Sequence, residues 1–452
     1  MMSTEDHKKD FTRQGSWMVI TTFLSGVCMF AVHVFGLYFT QNEYAEFQAL
    51  IQMINLMAIP GIGLQTVFAQ QTAAAISVEK KAALAGTVQT VAKWTFFLWL
   101  AMALTIFIFQ KNVLSGLKIS APVQLWITVA LGLTQLWGPI LNGVMQGQQN
   151  FLWLGWVGIF NGLGRFVLVG IIVILLAGRV TGAIIGVAMA IATVFLIALI
   201  QTRAVWLRPK PAYVFNWKPW LEKVIPLTLG LGASQFIFSV DFLFVRAVLG
   251  EDQTGFYGAA GMIGRGLVMF TAPLTIVMFP KIVHNLSHGK KTGVLAYTTI
   301  STAALCGLAA AGCTVVAFIL RGVAVSPDLA KGYLTPNLFE KLRTHTEALS
   351  VIGQLIPWFV WCMLPLALAN VLLNNLMARK QFRVVPYLLL VVASYFTTLT
   401  LAGTSFVRVI QILGIYNLVF LAVVAAFTWG GKAEAIVAAA ETPDLQAGKS
   451  LS

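Results

Sequence analysis

The chain contains few charged residues. Asp, Glu, Lys and Arg make up 10% of its 452 residues, and hydrophobic residues make up 58%. Soluble domains have about 25% charged and about 45–50% apolar residues. This shortage of charge excludes an ordinary cytosolic enzyme, a disordered chain and a nucleic-acid-binding protein, and it indicates a protein that lies in lipid. Only four cysteines are present, all in apolar runs, so we expect no disulfide framework and no metal site.

Two sequence motifs are also absent. The chain has no GxxxxGK[ST] loop, which excludes a primary pump that carries its own ATP-binding domain. Residues 1–15 are polar, and the apolar run that follows has no small-residue cleavage site. We therefore expect this run to remain as the first membrane helix rather than to act as a signal peptide.

Apolar runs of spanning length recur along the whole chain. A spanning helix takes about 20 residues, and helices satisfy in lipid the backbone groups that water cannot reach. The sequence predicts an all-α integral membrane protein with twelve transmembrane spans: 16–39, 44–69, 88–110, 122–146, 152–177, 180–202, 223–248, 255–282, 295–320, 350–378, 384–403 and 406–430.

Basic residues favour one side of this topology. With the N-terminus inside, more than twice as many Lys and Arg lie in cytoplasmic segments as in outside segments, in agreement with the positive-inside rule. We therefore expect both termini to be cytoplasmic. The predicted organisation is an N-terminal segment 1–15, an N-terminal lobe 16–202, an interfacial linker 203–222, a C-terminal lobe 223–430 and a cytoplasmic tail 431–452.

A short motif indicates an internal repeat. The pattern LNxxMxxxQ ends span four at Leu141–Gln149 and ends span ten at Leu373–Gln381, six spans later. A weaker similarity relates Glu43–Phe47, which opens span two, to Gln253–Tyr257, which opens span eight. The spacing predicts two six-helix lobes in a 6+6 repeat around a central cavity, where transporters often bind their substrate.

Spans seven and eight resemble those of a known family. Pro226 lies near the start of span seven and Asp241 near its outer end, followed by the acidic Glu251-Asp252 and a Gly-x-Tyr-x-x-Ala pattern at 255–260. This order is similar to that of the polysaccharide flippases of the multidrug/oligosaccharidyl-lipid/polysaccharide exporter superfamily. Span two is also similar to the family's second helix, with Ala45 where Gly is commoner. Phe382, which follows Asn374 and Arg379-Lys380, resembles the end of the family's tenth helix.

The resemblance implies a transporter that is not an enzyme and needs no cofactor. Its cavity would open alternately to the two sides of a bacterial cytoplasmic (inner) membrane and move an undecaprenyl-diphosphate-linked oligosaccharide from the inner to the outer leaflet. The polymer would be an O-antigen, a capsule or an exopolysaccharide, and a polysaccharide polymerase would be a partner. A proton, a sodium ion or removal of the product outside would drive transfer.

Charged residues within the spans are the candidates for head-group binding, because charge is costly in lipid. Arg165 lies about 20 Å along span five, at about 1.5 Å per residue. Its guanidinium suits phosphate oxygens, and the alternative is an arginine that snorkels or bonds a helix-end carbonyl. Asp241 and Arg265 lie at similar depths in spans seven and eight. They form either a structural salt bridge or a site where Asp241 binds the coupling ion and releases Arg265. Arg246 is expected to snorkel.

Polar stripes complete the predicted cavity. Gln48, Gln52 and Asn55 share one face of span two, and Gln135 and Asn142 recur at seven-residue spacing in span four. His33 lies on the polar face of span one. These side chains either contact the sugars of the substrate or form hydrogen bonds between helices.

Three alternatives to this function remain open. A cation-coupled multidrug exporter of the same superfamily usually carries an acid in its first helix, and span one has none. A lipid II flippase typically has fourteen helices and several arginines in the N-terminal lobe. A membrane-embedded polymerase or glycosyltransferase would need paired acids in an outside loop, whereas 321–349 has only widely spaced Asp328, Glu340 and Glu347.

Overall fold

Residues 4–208, 216–249, 254–269, 294–325, 346–401 and 405–430 are described in a computed structural model of the chain. These residues form helices and short connections, with no strand among them. Several predicted features lie outside these residues: the tail 431–452, most of the loop 321–349, Glu251-Asp252, and the remainder of span eight beyond 269.

The N-terminal half consists of helices that follow the predicted spans closely. They are α1 (Thr4–Ala31, continued by a 3-10 turn Val32–Tyr38), α2 (Gln41–Met57), α3 (Ile59–Ala74), α4 (Val78–Ile108), α5 (Gln110–Gly116), α6 (Pro122–Gly147), α7 (Phe151–Gly170, continued by a π-helical turn Ile171–Leu175), α8 (Arg179–Gln201) and α9 (Arg203–Trp206).

The C-terminal half is built in the same way. Its helices are α10 (Trp217–Val248), α11 (254–269), α12 (Val294–Val325), α13 (Thr346–Ala378), α14 (Val385–Leu401, preceded by a 3-10 turn Phe382–Val384) and α15 (Phe406–Gly430). Helix α10 begins at Trp217, inside the predicted linker, so the irregular part of that connection is shorter than expected.

Eleven segments among the described residues are long and apolar enough to cross a membrane. They correspond to every predicted span except the eighth, which is described only as α11. Helices α2 and α3 together form span two, which is broken at Ala58, two residues before Pro60. Proline has no N–H to continue the helical hydrogen bonds, which accounts for the break.

Corresponding helices pack in the same pairs in both halves. Helix α1 packs on α7, α6 on α8, and α7 on α8. In the second half α10 packs on α14, α13 on α15, and α14 on α15, which are the equivalent spans. This agreement supports the predicted 6+6 repeat and the two-lobed architecture.

The two copies of the LNxxMxxxQ motif also end their helices alike. Gln149 after α6 has φ 58° and Lys380 after α13 has φ 56°. In each copy the next N–H bonds back five residues, from Asn150 to the Met145 carbonyl and from Gln381 to the Leu376 carbonyl, both at 2.9 Å. These are left-handed helix ends of the Schellman type, and the second copy makes its turn one residue earlier.

The lobes meet mainly where span two contacts α10. Gly63 of α3 packs directly on Thr228, since a Cβ at this glycine would lie 2.9 Å from the Thr228 backbone nitrogen. The Phe68 and Trp220 rings, 6.4 Å apart, extend this contact toward the linker. We refer to this region as the linker-end contact.

Close packing of α1 on α7 gives the first testable prediction. A Cβ at Gly162 would lie 2.3–2.8 Å from backbone atoms of Ser25, whereas one at Gly158, a turn earlier on α7, would meet nothing within 4 Å. We expect Gly162→Ala to destabilise the protein by about 1–3 kcal/mol, as overpacking does. Gly158→Ala should be neutral or stabilising by up to about 1 kcal/mol, because alanine favours helix. Thermal unfolding in detergent measures both, and equal unfolding temperatures would contradict the prediction.

Candidate functional site

A small cavity of about 30 Å³ lies between the two lobes. Spans one, two, five and six line it from the N-terminal lobe, and α10 and α11 line it from the C-terminal lobe. Most of the wall is methionine, valine, isoleucine and phenylalanine. Its polar lining consists of His33, Gln52, Asn55, Arg165 and Arg265, all of which are predicted site residues.

Arg165 lies on the N-terminal lobe side of this cavity. Helix α7 carries it, about one turn after Gly162, where α7 packs closely on α1. Its Nε atom is buried and has no hydrogen-bond partner in the described part of the chain. No described carboxylate lies within ion-pair distance of it either. A half-buried arginine without a counter-charge can bind an anion, because the desolvation of its charge is otherwise not offset.

Arg265 reaches the cavity from the opposite lobe, and its charge is neutralised. Its Nη2 atom donates to both carboxylate oxygens of Asp241, at 2.6 and 2.7 Å, and its Nε donates to the Phe238 carbonyl at 2.9 Å. Both charged side chains are almost fully buried. Tyr257 donates its hydroxyl to Asp241 at 2.9 Å, and Phe238 and Phe359 place their rings about the guanidinium. The predicted salt bridge is therefore formed in this conformation.

His33 is held in place by two side chains of α2. Its Nδ1 atom lies 3.2 Å from the Tyr44 hydroxyl and 3.3 Å from Nε2 of Gln48, which also donates to Tyr44 at 2.8 Å. Gln48 is buried behind His33 and is not part of the cavity lining. It therefore positions the histidine in this conformation.

The remaining predicted polar residues occupy two places. Asn55 donates to Gln52 at 3.1 Å, and both amides line the cavity one turn before the break in span two. Gln135 and Asn142 lie on α6, which packs on α3, and neither is among the lining residues. The Oδ1 atom of Asn142 is buried without a hydrogen-bond partner in the described residues.

The expectation that Arg246 snorkels is wrong. Its side chain is fully buried at the end of α10 and donates to two carbonyls of the other lobe, those of Leu117 at 3.1 Å and Lys118 at 2.9 Å. Sequence position shows that this arginine is near a helix end but not that a loop of the other lobe covers it. Glu46, also buried, was not identified from the sequence. It accepts hydrogen bonds from the backbone N–H and hydroxyl of Ser120, at 2.6 and 2.9 Å.

The described residues contain no group of three His, Cys, Asp or Glu side chains that could hold a metal ion.

Comparison with known proteins identifies solved structures with a similar fold. No protein-family model matches the chain, and no curated protein sequence matches it. The solved structure of the lipid II flippase MurJ, in an inward closed conformation, has a TM-score of 0.68 at 13% identity and covers 92% of this chain and 87% of its own. A multidrug resistance MATE family transporter of the MOP superfamily, inward-facing, has a TM-score of 0.58 at 13% identity, with 91% and 93% covered.

A eukaryotic MATE transporter gives the same result, with a TM-score of 0.58 at 13% identity and 92% and 95% of the two chains covered. Agreement over nine-tenths of the chain confirms the fold that the resemblance implied. The protein therefore has the two-lobed helical fold shared by the MATE and MurJ transporters.

Proposed function

We propose that the protein is a flippase for an undecaprenyl-diphosphate-linked oligosaccharide. The observation that carries the proposal is the pair of arginines, one from each lobe, that line the cavity between the lobes. Arg165 has no anionic partner among the described residues, so a diphosphate would supply one. A cavity with this charge favours an anionic head group over the cationic compounds that a drug exporter would carry.

The head group would bind in two steps. Arg165 binds the first phosphate, because its charge is available in the conformation described. Arg265 binds the second only when Asp241 gives up part of its ion pair. A proton or a sodium ion on Asp241 would replace the positive charge that Arg265 no longer supplies to this carboxylate. Binding of the ion and binding of the diphosphate would therefore favour each other. This is the proposed coupling role of Asp241.

The sugars would contact the amides and the histidine. Gln52, Asn55 and His33 line the cavity beside the arginines and can bond hydroxyl groups. A head group of several sugars needs far more than the present volume of about 30 Å³, so the lobes would move apart to admit it. In that state we propose that Gln48, Gln135 and Asn142 also contact the substrate. The polyprenyl tail would stay in the bilayer, which the apolar outer surface of the lobes fits.

The proposed setting is the bacterial cytoplasmic membrane, with both termini in the cytoplasm. Transfer would run from the inner to the outer leaflet and supply a polysaccharide polymerase there. The excess of Lys and Arg on the predicted cytoplasmic segments supports this orientation.

Reconstitution in liposomes tests the proposal. A short-chain fluorescent polyprenyl-diphosphate sugar is placed in both leaflets, and loss of the label protected from an external quencher is followed with and without a pH or sodium gradient. We expect transfer of the diphosphate probe and none of a neutral glycolipid of the same chain length. Folded protein that moves neither probe, but moves a cationic dye, would overturn the flippase proposal in favour of a drug exporter.

A further inference from the structure

We propose that Arg246 and Lys118 form a reciprocal clamp that holds one end of the cavity shut between the lobes. Each residue extends from its own lobe and bonds backbone carbonyls of the other. Arg246 of α10 donates to the Leu117 and Lys118 carbonyls, at 3.1 and 2.9 Å. Lys118 donates through Nζ to the Leu249 carbonyl at 2.8 Å. This clamp does not depend on the identity of the substrate.

The carbonyls in the clamp are ones that their own helices leave available. Leu117 is the C-terminal cap of α5, and Leu249 is the C-terminal cap of α10. The last carbonyls of a helix lack an amide partner within the helix. A cation from the opposite lobe supplies the missing donor at both places, so the two lobes complete each other's helix ends.

The loop that receives Arg246 is also fixed to its own lobe. Glu46 of α2 accepts from the Ser120 backbone N–H and hydroxyl, at 2.6 and 2.9 Å. Lys118 itself has φ 50°, so the loop adopts one defined turn in which its carbonyls point at the arginine. The clamp therefore joins a helix end of one lobe to a loop that is bonded to its own lobe.

Burial makes the clamp costly to open. Arg246 is 0% exposed and Glu46 is 2% exposed. Separation of the lobes at this end would strip a buried guanidinium of two carbonyl partners and would free the Leu249 carbonyl. In the predicted topology this end faces outside, so the clamp would be the contact that breaks when a substrate leaves the cavity there.

Distances between spin labels test the clamp without any substrate. In a background that lacks the four native cysteines, labels at Val123 and Val248, each 51% exposed, report the clamp end. Labels at Ile76 and Leu221 report the separation of the lobes at the linker-end contact. We expect Arg246→Gln to add a population with a longer 123–248 distance while the 76–221 distance stays the same or shortens.

Two further variants provide a matched control and a second test of the clamp. Arg179→Gln is the matched control, because Arg179 is an exposed arginine that pairs with Glu43 inside one lobe at 3.0 Å. It should leave both distances unchanged. Lys118→Met removes only the reciprocal bond and should lengthen the 123–248 distance less than Arg246→Gln does. Folded Arg246→Gln and Lys118→Met proteins with the same 123–248 distances as the parent would overturn the proposal. If Arg246→Gln does not fold, an unchanged distance in Lys118→Met alone overturns it.

Discussion

Replacement of Arg165 by glutamine is expected to slow transfer of the diphosphate probe by about ten- to a hundredfold. A hydrogen bond to a charged group contributes about 1.5–3 kcal/mol, and each 1.4 kcal/mol is about a factor of ten. The effect should lie at the upper end, because Arg165 faces the cavity with no other described anion to neutralise it. Initial rates in proteoliposomes, at a probe concentration below saturation, measure the loss.

Two further variants serve as controls for this prediction. Arg203→Gln removes an exposed arginine of α9 that does not line the cavity, and this variant should transfer at the parent rate. Arg165→Lys keeps the charge but loses the planar pair of donors, so it should recover part of the rate. If the Arg165→Gln protein folds and transfers the probe at the parent rate, this arginine is not part of the binding site.

Replacement of Asp241 by asparagine is expected to cost about 3–5 kcal/mol of stability. The change leaves Arg265 buried without its counter-charge, and removal of one partner of a buried ion pair has this magnitude. Thermal unfolding of purified protein measures it. As a control, Glu43→Gln breaks the ion pair with the exposed Arg179 but keeps an oxygen that can accept from the Thr40 backbone N–H, so it should cost at most about 1 kcal/mol.

A double replacement separates the structural role of this pair from its coupling role. Asp241→Leu with Arg265→Met removes both charges, and apolar replacement of a buried pair is often neutral for stability. We expect the double variant to regain the stability that Asp241→Asn loses. If Asp241 also couples an ion, the stable double variant should lose the response of transfer to an ion gradient. A double variant as unstable as the single one would contradict the view that the unpaired charge of Arg265 causes the loss of stability.

Much of the architecture was predictable from the sequence. Apolar runs fix spans within a few residues because lipid demands both length and hydrophobicity, as α6 and α15 show. The depth of Asp241 and Arg265 was enough to pair them, since helices that follow each other in a bundle often pack together. The same argument placed Arg165 in the interior, and the structure brings it to the cavity with His33, Gln52 and Asn55.

The contacts between lobes were not predictable in this way. Arg246 near a helix end suggested an arginine that reaches water, and only the position of the Leu117–Ser120 loop shows that it is covered. Hydrophobic pattern tells which residues lie in lipid, but not which loop of one lobe lies over a helix end of the other. Gln48 likewise shares a helix face with Gln52, yet the fold of the 3-10 turn puts His33 between it and the cavity.

The break at Ala58 has a consequence for how the lobes move. The first half of span two, α2, carries Glu46, which bonds Ser120 of the Leu117–Ser120 loop. The second half, α3, carries Gly63, which packs on Thr228. Because the helix is interrupted between them, one half can follow an opening lobe while the other stays in contact. We propose that the clamp and the linker-end contact can then open at different times. Under the proposed function, this would let the protein pass through a state that is closed at both ends, in which ions could not follow the substrate across.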